Sequence, residues 1–187
     1  MVEYRDYNFA GKTMEFFVTH QTVEHYSGDC AVAFVFKDKA HQNKDLQQLL
    51  ELNRFDAIVG ATLMLNRVDN YKTKRLLVVG LGISSLNEKN YMKVLNSLSS
   101  TLFDAKVKNV VIPDIQIDNR DESWVQLTTV RVLKNESYQV EKVDAKEENE
   151  KGTLEAINIY SENNDATEIN KGLAIANGMA LTRRLGD

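Results

Sequence analysis

The amino-acid sequence predicts a three-layer α/β/α fold built on a mixed, largely parallel sheet. Apolar segments of strand length recur along the chain, notably "CAVAFVF" (Cys30 to Phe36) and "KRLLVVGLG" (Lys74 to Gly82). Segments with helical periodicity alternate with them, and such alternation packs helices on the faces of a mainly parallel sheet. With 187 residues, 43% hydrophobic and 27% charged, the chain is long and apolar enough to bury a core without staples.

"MEFFVTH" (Met14 to His20) and "CAVAFVF" read as the first two strands, each β-rich and bounded by polar segments. "NKDLQQLLEL" (Asn43 to Leu52) is a short helix pattern. "ATLMLN" (Ala61 to Asn66) and Lys74 to Gly82 are the next strands, joined by a polar turn over 68–73. Ser85 and Glu88 have the spacing of a capping box, and Tyr91, Leu95, Leu98 and Leu102 then mark one face of a helix. "KNVVIPD" is a buried strand with Pro113, the one proline, at its end, where a missing N–H does little harm.

The segment Glu122 to Tyr138 is ambiguous by composition, because Thr128, Thr129, Val130 and Val132 favour strand whereas its length favours helix; the expectation is helix. Glu141 to Gly152 is nearly all charge and is expected as an exposed loop. Thr153 to Tyr160 is a further strand. After the polar joint at 161–165, Asp165 and Glu168 give a second box-like start to a final helix.

The net charge of −4 gives no global attraction to nucleic acid or anionic membrane. The basic clusters Lys72 to Arg75 and Arg183-Arg184 are short enough to be solvated surface. The start of the chain alternates charges and lacks an apolar stretch, so neither a signal peptide nor a membrane anchor is expected, and residence is expected to be cytoplasmic. The sequon at Asn135 is then without consequence. One cysteine, Cys30, allows no internal disulfide.

"VVGLGISS" places Gly80-x-Gly82 between a strand and a helix, where a phosphate could meet free N–H groups. The dinucleotide fingerprint requires glycine at position 85, which is Ser85, so a tight turn with a helix cap is the expected reading. His20, His25, Cys30 and His41 fit no standard zinc spacing. Cys30 has no evident activating neighbour, no serine occupies a nucleophile elbow, and Glu147, Glu148 and Glu150 are a solvated charge run. No catalytic, cofactor-binding or metal residue is expected in this chain.

Three stretches resemble the N-terminal domain of the leucyl aminopeptidase (cytosol aminopeptidase) family: "KRLLVVGLGISSLNEKNYMKVLNSL", "ESWVQLTTVRVLKNESYQVEKV" and, most specifically, "INKGLAIANGMALTRRLGD". The resemblance implies a macro-domain-like fold over 1–164, with 165–187 as a helix connecting to a C-terminal catalytic domain. In the family that domain opens near an "L-x-N-x-P-x-N" stretch. Here "LGD" stands at that place, with Asp187 for asparagine. The resemblance also implies a hexameric parent with two divalent metals, zinc or manganese, bound wholly in the other domain. This chain would then be an assembly or regulatory domain of an enzyme that removes N-terminal residues. A freestanding macro-like module binding a nucleotide or nucleic acid is the alternative. Macro domains that bind ADP-ribose use glycine-rich loops, and none of the nine glycines here are adjacent.

The final helix carries Ile169, Gly172, Leu173, Ala176 and Ala180 at steps of three and four, a small-residue face suited to close packing. Its first turns are expected to dock on this domain. Those from Met179 onward are expected to be loosely held or covered by a neighbouring copy.

Overall fold

The computed structural model of the chain describes residues 14–144, 154–162 and 165–186. Among these, six strands, β1 (Glu15–Thr19), β2 (Cys30–Val35), β3 (Thr62–Asn66), β4 (Arg75–Gly80), β5 (Asn109–Ile112) and β6 (Ala156–Tyr160), form one sheet in the order β1-β6-β5-β2-β4-β3. Every neighbouring pair is parallel except β3 with β4. The helices are α1 (Lys44–Leu52), α2 (Glu88–Asp104), α3 (Glu122–Asp144) and α4 (Thr167–Gly186).

The central strands are apolar on both faces because both are covered. Val32, Leu77, Val79, Val110, Ile112 and Ile157 face the layer of α2, α3 and α4. Ala31, Ala33, Val35, Leu76, Val78 and Val111 face Leu46 and Leu50 of α1. A shift of one residue in any of these strands would exchange the two sets, which fixes the register.

The amino-terminal ends of the central strands are tied by one charged node. Arg75, opening β4, donates from Nε to Asp29 Oδ1 at 3.2 Å and from Nη2 to Oδ2 at 2.5 Å. Its Nη1 reaches the carbonyl of Ala105 at 2.6 Å, just past α2. Asp29 also accepts from the Lys108 amide at 3.0 Å, and its own amide donates to Asn109 Oδ1 at 2.6 Å. Asn158 of β6 extends the network by donating to the Tyr26 hydroxyl at 2.8 Å. A Cβ on Gly28 would collide with the Tyr26 ring and with Asn109 Oδ1, so the approach to β2 leaves no room for a side chain there.

Some expected details change. The capping box at Ser85 and Glu88 is not formed. Asn87 caps α2, its side chain accepting from the Asn90 amide, and Glu88 pairs with Arg120 at 2.5 Å. Asparagine is as good a cap as serine, and Asn87 holds the extended backbone that the position requires. The ambiguous segment is helix, and α3 continues to Asp144, so Glu141 to Asp144 belong to it rather than to the charged loop. The remainder of that loop, including Glu147, Glu148 and Glu150, lies outside the described residues. Burial outweighs the β-propensity of α3: Val125, Thr128, Thr129, Val130, Val132 and Leu133 are all buried. Thr129 returns its hydroxyl to the Val125 carbonyl and meets the Tyr91 hydroxyl at 2.5 Å, so this buried pair is satisfied.

On α4, Ile169 and Ala176 are buried, as the small-residue face predicts. Gly172 is the point of closest approach, since a Cβ there would lie 2.9 Å from the Leu127 carbonyl oxygen and from Val130 Cβ. Arg183 Nη1 donates to Asn135 Oδ1, so α4 stays beside α3 past Met179. Its outer side nevertheless leaves Ile175 43% and Leu181 59% exposed.

Two glycines of one helix should therefore respond oppositely to alanine. Alanine is the better helix former by about 1 kcal/mol, and Gly178, with nothing within 4 Å of its added Cβ, should gain from it. Gly172→Ala should instead lower the urea midpoint; a rise in both variants would contradict the close packing.

Asp29 makes stability dependent on acid. Burial alone would raise its carboxyl, but the Arg75 fork, the Lys108 amide and the nearby positive charges hold it below the usual carboxylate value. The folded pKa lies below the unfolded one, so the stabilisation is complete above about pH 4 and fades as pH falls through the folded value. Asp29→Asn should cost about 3 kcal/mol at pH 7 by stranding Arg75. Urea titrations from pH 7 to pH 3 should show a shallower acid loss in that variant than in the parent chain.

Candidate functional site

The turn after β4 is the place where a strand, two glycines and a helix could have cradled a phosphate. Five of its amides are already engaged. Gly80 donates to the Ala61 carbonyl, Leu81 to Val35, Gly82 to Ala57 and Ser85 to Ile83, at 2.6 to 2.8 Å. Ser84 gives its amide to Asp38 Oδ1 at 2.8 Å and its hydroxyl to Oδ2. These two bonds hold the Asp38 carboxyl below its ordinary value, so a negative charge already occupies the turn. The glycines serve packing: a Cβ on Gly80 would collide with the Ile58 carbonyl, and Gly82 sits at φ +82° under Val59. Residues 57–61 thus seal the carboxyl end of β4.

The possible metal ligands are dispersed. His20 is exposed, and His25 Nδ1 meets Thr22 Oγ1 at 3.0 Å. Cys30 is fully buried in β2, and that burial pushes its thiol up to about 12, so it remains a neutral, inert thiol. His41 is half-buried, which lowers its pKa. Its Nδ1 accepts from the Asn43 amide at 3.1 Å, leaving the proton on Nε2. Among the described residues no group of three His, Cys, Asp or Glu side chains could hold a metal.

Sequence reasoning missed a cleft of about 700 Å³ between residues 36–43 and α1. Two contacts orient α1. Asp45, at its start, accepts from Asn70 in the β3–β4 turn, while Ala57, beyond its end, meets Gly82 at the carboxyl end of β4. The helix therefore climbs in the direction of β4, and the segment from Phe36 to Asn43 descends beside it. Asn43 caps α1 by accepting from the Asp45 and Leu46 amides. At the other end Phe55 donates to the Leu50 carbonyl and Arg54 to that of Glu51, with Arg54 at φ +50°, a Schellman ending.

Val35, Leu50 and Phe55 give the cleft an apolar lining, and Lys37 bridges to Asp56 at 2.8 Å. Lys39 lies 4.4 Å from the Phe36 ring centre and donates to the Ser84 carbonyl at 3.2 Å. No sequence motif marks these residues, because they become neighbours only through the descent and return of the chain.

These features define an α/β domain of macro-like fold whose phosphate turn is closed and whose described residues form no metal centre. The chain belongs to the cytosol aminopeptidase family: residues 30–147 match the model described as "Cytosol aminopeptidase family, N-terminal domain". A probable cytosol aminopeptidase of Vesicomyosocius okutanii subsp. Calyptogena okutanii is 37% identical over 174 residues, covering 93% of this chain and 36% of that protein. Among solved structures, a tomato leucine aminopeptidase mutant superimposes with a TM-score of 0.66 at 17% identity, over 95% of this chain and 39% of the other. The macrodomain of Mycobacterium tuberculosis DarG does so with a TM-score of 0.59 at 10% identity, over 79% of this chain and 98% of that one, a likeness of fold alone. The chain thus spans little more than a third of its first curated relative. No helix among the described residues is long and apolar enough to cross a membrane.

The engaged turn implies that ADP-ribose binds no tighter than millimolar, because a pyrophosphate would have to displace both Asp38 and the 57–61 carbonyls. Titration calorimetry checks this, and a micromolar constant would show that the turn opens.

Proposed function

We propose that this chain is the non-catalytic N-terminal part of a two-metal leucyl-type aminopeptidase, acting in its assembly or regulation. Residues 1–164 would form the macro-like domain and 165–187 a connecting helix into the catalytic domain. The observation that carries this reading is the match of residues 30–147 to the N-terminal domain of the family, in relatives much longer than this chain. The exposed Ile175 and Leu181 on the outer side of α4 support it, since they give a following domain an apolar surface to cover.

In the parent, two zinc or manganese ions would activate water and polarise the peptide carbonyl. That chemistry belongs to the other domain, and none of its residues is assigned to this chain. Here Gly172, Ile169 and Ala176 hold α4 against the body of the domain, so the linkage is rigid at its root. Hexameric assembly and cytoplasmic residence are expected by family membership. A net charge of −4 makes nucleic acid an unfavoured partner.

The encoding gene supplies the first test, through a reading frame that continues past Asp187. A protein carrying that continuation should hydrolyse leucine p-nitroanilide with added zinc or manganese. The 187-residue chain alone should neither hydrolyse it nor retain metal after dialysis. Turnover with stoichiometric metal in the short chain would overturn the reading.

A further inference from the structure

Several of the charges around the cleft beside α1 are engaged internally. Lys37 is taken by Asp56, Glu51 accepts from Gln47 Nε2 at 2.9 Å, and Lys39 is held by the Ser84 carbonyl. Two opposite charges that line the cleft, the Glu24 carboxylate and the Arg54 guanidinium, make no hydrogen bond or ion pair among the described residues. They stand at opposite ends. Glu24 is close enough to His41 and Tyr71, at the start of α1, to act on both electrostatically, and its carbonyl accepts from the Lys72 amide. Arg54 follows the last turn of that helix.

His41 Nδ1 accepts from the amide of Asn43, the cap of α1, which fixes His41 at the start of that helix. At 1.5 Å per residue, α1 between the two ends rises roughly 12 Å from Lys44 to Leu52, a span matched by about three extended residues with their terminal contacts. Between them lie Val35, Leu50 and Phe55, and the volume of about 700 Å³ is ordinary for a ligand site.

We propose that this cleft binds a short zwitterionic peptide of about three residues in extended form, its amino terminus at Glu24 and its carboxylate at Arg54. Apolar side chains of the peptide cover Leu50 and Phe55. A single amino acid carries the same two charges but cannot reach both ends. The inference goes beyond the parent-enzyme reading and needs no catalysis in this chain, so a negative result here leaves that reading untouched.

Calorimetry of the 187-residue chain with tri-alanine tests it, with free alanine and N-acetyl-tri-alanine amide as the other arms. Tri-alanine should give saturable one-site binding, and the blocked peptide and free alanine should each bind at least about tenfold more weakly, the loss expected for one charged hydrogen bond. Arg54→Gly should weaken tri-alanine about as much without loss of fold, because glycine suits the left-handed backbone there. Glu24→Gln should do the same from the other end, and unchanged melting curves would show that both variants remain folded. The proposal is overturned if tri-alanine gives no saturable heat, if the blocked peptide or free alanine binds as tightly, or if both folded variants keep the parent affinity.

Discussion

Asp29 and Arg75 are the two halves of one ion pair at the root of the sheet, and most of the architecture converges on it. The pair joins the approach to β2 to the first residue of β4, takes in the amide of Lys108 before β5, and reaches the Ala105 carbonyl beyond α2. Both side chains are about four-fifths buried, so neither charge could be left alone without a large desolvation cost. The guanidinium fork and the two carboxylate oxygens are matched in number as well as in sign, which is why arginine rather than lysine suits the place. The parallel pairs of this sheet have no hairpins to set their register locally. Here a polar node at the strand starts supplements the apolar alternation.

The opposite end of β4 is closed by backbone instead. Residues 57–61 lie across the glycine turn, and Asp38 stands where an external anion would have to go. A fold shared with macrodomains is therefore compatible with quite different chemistry, since the loops decide what the sheet can hold. The cleft lies to one side, where the chain descends from Phe36 and returns through α1.

The elements legible in the sequence were those with strong periodicity. The strand at Cys30, the strand at Arg75 and the face of α2 from Tyr91 to Leu102 lie where alternation and helical spacing put them. The start of α2 was misread because two good capping residues, Ser85 and Asn87, compete within three positions, and only the path of the chain selects between them. The extent of α3 was undervalued because Glu141 to Asp144 open a nearly all-charged run, while the β-branched residues before them argue locally for strand against burial on α2 and α4. The cleft was not legible at all. Glu24 and Arg54 are thirty residues apart with no shared motif, and a pair of unsatisfied charges can be recognised only when the neighbours of each are known.

The sheet also divides the molecule's dealings with its surroundings. Residue Ile169 of α4 packs into the core on one side of the strands, while Leu50 beside the cleft packs into the core on the other. Whatever lies over Ile175 and Leu181 and whatever enters beside α1 would be separated by a full layer of hydrogen-bonded backbone. Neither occupant need exclude the other, and any influence between them would have to pass through the strands as a change in stiffness or twist.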